Sequence, residues 1–128
     1  FRIIVNEYVY DKWNIEWANE QTNKLKKLID YIPKKYKNIE LSRSDYVKLI
    51  RLKIGHCKFS HKHLIDKTDQ PYCRCGQLLT VSHIFNDCQF YITYRNKYRI
   101  NNINILKNEQ NFDNVKLFLK DIKLYDSI

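Results

Sequence analysis

Three cysteines and one histidine lie within sixteen residues of this chain, in the order Cys73-x-Cys75-x7-His83-x4-Cys88. Thiolate sulfur and imidazole nitrogen are the usual ligands of tetrahedral zinc in proteins, and four of them fill its coordination shell. A chain that brings these four side chains together must turn tightly and return within a few residues. The spacing therefore predicts a small irregular insert held by one metal ion.

The residues around the four ligands are compatible with such a site. Gly76 follows Cys75 and allows the backbone to turn sharply, and His83 belongs to the first turn of the next predicted helix. Cys88 is five residues further on, about 140° away around a regular helix, so we expect it on a distorted turn or just beyond one. A closed four-ligand shell leaves no position for water, so the zinc would be structural, with Arg74 offsetting the excess negative charge.

Other interpretations of the cysteines and histidines remain open. The single residue between Cys73 and Cys75 is tighter than the two to four that are usual in structural zinc sites. Unrelated buried thiols beside a surface histidine, or a disulfide pair, are the alternatives. A second group of such residues is a weaker candidate for metal binding or catalysis, because two of its histidines are only two apart and point to different faces of a helix: His56, Cys57, His61 and His63.

Helical spacing of apolar side chains dominates the first half of the sequence. One predicted helix covers residues 13–32, with Trp13 and Trp17 on its core face and Pro33 as its stop. A second begins after Ser42, which with Asp45 resembles a capping box, and ends at Gly55. A shorter helix is predicted over residues 59–65.

The second half of the sequence contains the insert and further segments with helical spacing of apolar side chains. Residues 71–80 read as a small hairpin or knuckle, and Thr80 can cap a helix that begins at Val81. Residues 101–110 form an asparagine-rich break, and a last helical face extends over residues 112–122. No long alternating pattern or repeat occurs. The predicted fold is mainly α, a small helical domain with one zinc-knuckle insert.

The positive charge is concentrated in one segment. The chain carries a net charge of +9, and residues 24–62 contain twelve Lys or Arg against three acidic residues, which accounts for all of it. A basic segment interleaved with aromatic residues is typical of phosphate contacts with occasional base stacking, although a solvated face of an ordinary basic protein is the alternative. The candidate nucleic-acid contacts are Lys34, Lys35, Lys37, Arg43, Lys48, Arg51, Lys53 and Lys58.

Several classes of protein are disfavoured by composition. The longest apolar runs are only a few residues, far short of the roughly 18 that cross a bilayer. Two glycines cannot build a glycine-rich phosphate loop, no nucleophile–histidine–acid series stands out, and the acidic residues are scattered singly. We therefore expect no membrane span and no catalytic activity. Because the chain starts at Phe1 and contains no methionine, it reads as a fragment of a longer polypeptide.

The ordered motifs resemble a known family. They resemble the region that follows the ribonuclease H domain in reverse transcriptase polyproteins of insect-type non-LTR retrotransposons, a region that carries a zinc-binding motif. The similarity covers roughly residues 10–125, and Trp13, Trp17, Leu25 and Ile29 resemble the segment that joins the ribonuclease H domain to this tail. The motifs that carry it are Leu41-Ser42-Arg43, Arg51-Leu52-Lys53-Ile54-Gly55-His56, Cys73-Arg74-Cys75-Gly76, Thr80, His83-Ile84-Phe85 and Cys88.

This resemblance implies a module of a transposable element that copies RNA into DNA. Zinc would be held by Cys73, Cys75, His83 and Cys88, and RNA or DNA and the upstream polyprotein domains would be the partners. Residues 1–40 would form a helical linker, with residues 1–11 a candidate for the end of the ribonuclease H domain, and residues 41–128 a helical zinc-binding tail. An intracellular location, nuclear or cytoplasmic, is expected from the family. The alternative function is a docking module that packs on the upstream ribonuclease H or polymerase domain.

Overall fold

A computed structural model describes residues 2–34 and 40–128 and divides the chain into two compact units, residues 1–40 and 41–128. The protein is mainly helical, as the periodicity predicts. In the part of the chain that is described, β pairing is limited to one antiparallel bridge between Tyr72 and Leu78, inside the predicted knuckle. No helix among these residues is both long and apolar enough to cross a membrane.

The first unit is built on helix α1, Arg2–Asn19, followed by a 3-10 turn at Lys24–Lys27. The prediction of one helix over residues 13–32 is wrong. The side chain of Glu20 accepts hydrogen bonds from the backbone N–H groups of Thr22 and Asn23, at 2.8 and 3.1 Å, and these bonds replace the next helical turn.

The chain then returns along α1. The indole of Trp17 donates to the backbone oxygen of Ile29, at 2.9 Å, and Asn14 accepts from the N–H of Ile32, at 2.8 Å. Leu28 is buried, but Trp13 is 51% exposed, so the prediction that both tryptophans belong to a core is wrong for Trp13. Its ring lies beside that of Tyr10, with centroids 6.1 Å apart, and half of it faces solvent.

In the second unit, helix α2, Arg43–Ile54, has the predicted ends. The hydroxyl of Ser42 accepts a hydrogen bond from the N–H of Asp45, at 3.1 Å, and satisfies one of the free donors of the first turn. Gly55 adopts a φ of +80°, where a side chain would be strained, and its N–H caps the carbonyl of Arg51. Helix α3, Lys58–Asp66, confirms the shorter predicted helix.

After the knuckle, the chain forms a π-helical turn at His83–Asp87, a 3-10 turn at Gln89–Tyr91 and helix α4, Ile92–Lys97. The segment predicted as an asparagine-rich break holds two 3-10 turns, Ile103–Lys107 and Glu109–Asn111. Asn102 and Asn108 supply their caps by accepting from the N–H groups two residues on. Helix α5, Phe112–Asp121, and a 3-10 turn at Tyr125–Ser127 complete the chain.

The core of the second unit lies between α2, the π turn and α5. Phe85 of the π turn meets Phe118 of α5 edge to face, with ring centroids 5.6 Å apart. This packing anchors the π turn to the last helix. The side chains that are almost fully buried with these two include Leu49, Leu52, Ile84, Leu106, Phe112, Val115, Leu119 and Ile128.

Candidate metal centre

The knuckle supplies two of the four candidate ligands. Cys73 donates its N–H to the carbonyl of Gln77, at 2.8 Å, and accepts from the N–H of Gly76 at its own carbonyl, at 2.9 Å. Gly76 has a φ of +84°, as expected for the residue that reverses the chain. The tight turn directs the sulfurs of Cys73 and Cys75 to the same side.

The π turn supplies the other two ligands. Thr80 accepts a hydrogen bond from the N–H of His83, at 3.1 Å, which confirms its predicted capping role. The N–H of Cys88 donates to the carbonyl of His83, at 2.9 Å, so one wide turn closes between these two ligands. An i to i+5 bond places residues five apart on the same side, whereas a regular helix would separate them by about 140°. Cys88 lies directly after this turn, as predicted.

The four ligand atoms converge. The Sγ atoms of Cys73 and Cys88 are 3.5 Å apart and those of Cys75 and Cys88 are 3.9 Å apart, while Cys75 Sγ is 3.1 Å from His83 Nε2. All four atoms lie within 4.8 Å of one another. Four ligands around one zinc ion would be separated by about 3.8 Å between sulfurs and about 3.5 Å between sulfur and nitrogen. The side chains therefore lie close enough together to hold a metal ion.

The surroundings of the Cys73 and Cys88 thiols shift their pKa values in opposite directions. Burial raises the pKa of Cys88 to about 11, with further increases from its hydrogen bonds to Cys73 and Cys75. Burial also opposes ionisation of Cys73, but hydrogen bonds from the backbone of Cys75 and from the Cys88 thiol outweigh it and lower its pKa. One thiol is thus prepared for ionisation by the backbone around it, and a dication would favour the thiolate at the others.

Arg95 supports the site from α4, and sequence reasoning missed it. Its side chain is buried, and Nη1 donates to the carbonyls of Ile84 and Cys88, at 3.0 and 2.8 Å. Those carbonyls lie in the distorted turn and directly after it, where regular helical N–H donors are absent. The guanidinium therefore fixes the backbone of the ligand Cys88. The signal was weak, because one arginine among many basic residues gives no sign of burial.

The second cysteine and histidine group does not converge. The rings of His56 and His61 stack with centroids 4.0 Å apart, and His61 Nδ1 lies 2.8 Å from the hydroxyl of Ser60. Cys57 is buried, and His63 Nδ1 is buried without a hydrogen-bond partner among the described residues. Within residues 2–34 and 40–128, Cys73, Cys75, His83 and Cys88 form the single group of at least three potential ligands close enough for one ion.

Four of the described candidate nucleic-acid contacts are exposed, among them Lys34, Arg43 and Lys58. Lys34 is 3.7 Å from the carboxylate of Glu7, with both side chains largely in solvent. Arg43 and Lys58 are exposed at the first turns of α2 and α3. Lys35 and Lys37 lie outside the described residues. Since a solvent-exposed ion pair is weak and easily exchanged, all three described side chains remain available to a polyanion.

The other three contacts hold the fold together. Lys53 is buried and pairs with Glu109, at 2.9 Å. Arg51 is the fourth exposed contact, but its Nη1 donates to the backbone oxygen of Ile128, at 3.0 Å. Lys48 donates to the backbone oxygen of Tyr125, at 3.0 Å. These side chains tie α2 to the last third of the chain, so their charge is engaged within the unit.

No family model, curated protein or solved structure matches this chain in comparisons with known proteins. The side-chain arrangement itself therefore carries the functional argument.

Proposed function

We propose that this chain is a zinc-stabilised nucleic-acid-binding module, part of a retrotransposon-type reverse transcriptase and ribonuclease H polyprotein and not catalytic by itself. The observation that carries the proposal is the convergence of Cys73, Cys75, His83 and Cys88 within 4.8 Å in a chain of net charge +9. Three sulfurs and one imidazole nitrogen form a donor set that suits zinc. When bound, zinc would supply a structural cross-link between the knuckle and the π turn.

The basic residues support the choice of partner. Arg43 and Lys58 are exposed, and Lys34 is engaged only by a solvent-exposed carboxylate. Lys or Arg side chains that neutralise phosphates release condensed counterions, so binding falls steeply as salt rises. A footprint of about four to six phosphates on a single strand predicts a log–log slope of roughly −3 to −4.

The experiment is a salt titration with matched charge variants. The zinc-loaded protein is titrated into labelled single-stranded RNA and into duplex DNA at low and moderate salt. Arg43→Glu combined with Lys58→Glu should weaken binding to many sequences alike, and so should charge reversal at Lys34, Lys35 and Lys37. Lys12→Glu, a charge reversal at an exposed position of α1 outside the basic segment, serves as the control. Affinity that is insensitive to both salt and the variants would sink the proposal.

A docking module is the second candidate function. The observation in its favour is that α2 and α3 leave large apolar side chains in solvent, with Leu64 67% and Ile65 83% exposed. Such side chains are common at protein interfaces. Its test is co-purification with the upstream ribonuclease H or polymerase domain at high salt and without nucleic acid. Leu64→Ser with Ile65→Ser should abolish that association, whereas Arg43→Glu should not.

A further inference from the structure

A groove of about 660 Å³ lies beside the knuckle in the second unit. Residues of the knuckle, of the segment around α4 and of the end of α5 line it, and Cys73 is among them. The side chains that matter for its chemistry are Tyr72, Arg74, Phe90, Tyr94 and Lys123. It is distinct from the basic segment at residues 24–62, since every residue that lines it lies beyond that segment.

Aromatic rings face solvent in this groove. Tyr72 is 66% exposed, Phe90 59% and Tyr94 39%, whereas Phe85, Phe112 and Phe118 are almost fully buried in the core. An exposed Phe gains nothing from water, because its ring has no polar group. Three exposed rings on one groove form a surface for flat, apolar ligands, and nucleobases offer such faces.

The charges of the groove favour an anion. Arg74 lines the groove, and Lys123 lines both the groove and an adjoining pocket of about 440 Å³. That pocket is also lined by Lys120 and by Asp126, whose carboxylate is 4.0 Å from Lys48. Asp121 is the acidic residue of the groove, and its carboxylate is held by Lys97, at 2.8 Å, and by the hydroxyl of Tyr98, at 2.6 Å. Its charge is therefore compensated, and the cations define the potential that a ligand meets.

We infer that this groove binds the unpaired bases of a single-stranded nucleic acid. Tyr72, Phe90 and Tyr94 would stack on the bases, while Arg74 and Lys123 would contact the phosphates. In a duplex the base faces already stack on one another, so rings that require a free base face select single strands. The inference rests on the proposed function and adds two points to it: a preference for single strands over duplexes, and a second nucleic-acid contact surface outside residues 24–62.

Lys123 allows a substitution that removes charge without disturbing the backbone. It adopts a φ of +60° directly after α5, a conformation that favours glycine. Lys67, exposed at the end of α3, has a similar φ of +53° but lies outside the groove. Lys123→Gly and Lys67→Gly therefore make the same chemical and conformational change, and only the first should weaken binding.

The test compares single and double strands. A 12-nucleotide single-stranded RNA and a blunt-ended RNA duplex of the same length are titrated with zinc-loaded protein and followed by fluorescence anisotropy. Phe90→Leu and Tyr72→Leu should each weaken single-strand binding by about tenfold, because stacking of one base on a ring contributes that much, and leave duplex binding unchanged. Lys123→Gly should weaken single-strand binding and reduce the salt slope by about 0.7, whereas Lys67→Gly should do neither.

The outcomes separate this inference from the proposed function. Metal content and circular dichroism first establish that each variant is folded. If the ring variants bind single strands as the wild type does, the groove inference is overturned and the groove is better explained as a protein surface, while nucleic-acid binding by the module stands. If both strand states weaken equally, selection of unpaired bases is overturned. If the wild type binds neither probe, the proposed function fails, and the groove inference fails with it.

Discussion

The second unit contains two groups of four cysteine and histidine residues with very different geometry, one with three histidines and one cysteine and the other with three cysteines and one histidine. One consists of His56, Cys57, His61 and His63, at the start of α3 and on its face. The other is the candidate metal centre of Cys73, Cys75, His83 and Cys88, hereafter the metal centre, where all four potential ligand atoms lie within 4.8 Å of one another. In the first group the rings of His56 and His61 stack on each other, and the Cys57 thiol is buried. Four potential ligands close together in the sequence therefore do not by themselves make a metal site.

The difference comes from the backbone. In α3 a regular helix spreads neighbouring side chains around its axis, so His61 and His63 diverge, with ring centroids 6.3 Å apart. In the metal centre the glycine turn after Cys75 and the π turn between His83 and Cys88 both depart from regular structure. Each departure brings two ligands to one side. Irregular backbone is thus what turns four scattered residues into a site.

The largest expected effect is loss of the metal itself. Binding of a structural zinc ion contributes on the order of 10 kcal/mol to folding, which is comparable with the whole stability of a small domain. Cys88→Ala, or a strong chelator, should therefore abolish cooperative unfolding of the second unit. Cys57→Ala removes an equally buried thiol from the other group and should keep one zinc ion per chain, at a cost of about 1 kcal/mol.

Metal content by mass spectrometry and thermal unfolding by circular dichroism test this comparison. His61→Ala serves as the matched histidine control for His83→Ala, which should lose the metal. A chain that keeps its zinc after Cys88→Ala, or loses it after Cys57→Ala, would show that the two groups have been assigned the wrong way round.

A smaller effect is expected at the residue that holds the π turn. Arg95→Met keeps most of the side-chain volume but leaves the carbonyls of Ile84 and Cys88 without their buried donor. We expect a loss of about 2–4 kcal/mol in the free energy of unfolding of the zinc-loaded protein, measured by urea denaturation. Arg99→Met, the same change at an exposed site, should cost less than about 0.5 kcal/mol. Equal effects at the two positions would remove the supporting role of Arg95.

Local signals in the sequence account for what could be predicted. Ser42 and Gly55 fix the ends of α2 through capping that depends only on neighbouring residues. The spacing of His83 and Cys88 required a distorted turn, and the π turn confirms it. The end of α1 was missed because the side chain of Glu20 competes for backbone donors, which periodicity does not register. Lys53 is buried against Glu109, 56 residues further along the chain, and Arg95 donates to Ile84, 11 residues before it. Residue type alone could not reveal partners at these separations.

The smallest expected effect concerns pH and the thiol outside the metal centre. Burial raises the pKa of Cys57 from 9.0 to about 12, with a small opposing contribution from the charge of Arg51. The folded state therefore keeps this proton where the unfolded chain releases it. The stability that Cys57 contributes is complete below pH 9 and is lost as pH rises from about 9 toward 12. Between pH 8 and 10 the loss should be about 1 kcal/mol.

Urea denaturation of the wild type and of Cys57→Ala at pH 8 and 10 measures this loss as a difference, so that lysines and metal ligands, which titrate in both proteins, cancel. We expect the wild type to lose about 1 kcal/mol more than the variant. A parallel decline in the two proteins would mean that the Cys57 thiol reaches solvent in the folded state. The Cys57 thiol would then be open to solvent, and the contrast between a closed metal centre and an inert buried thiol would no longer hold.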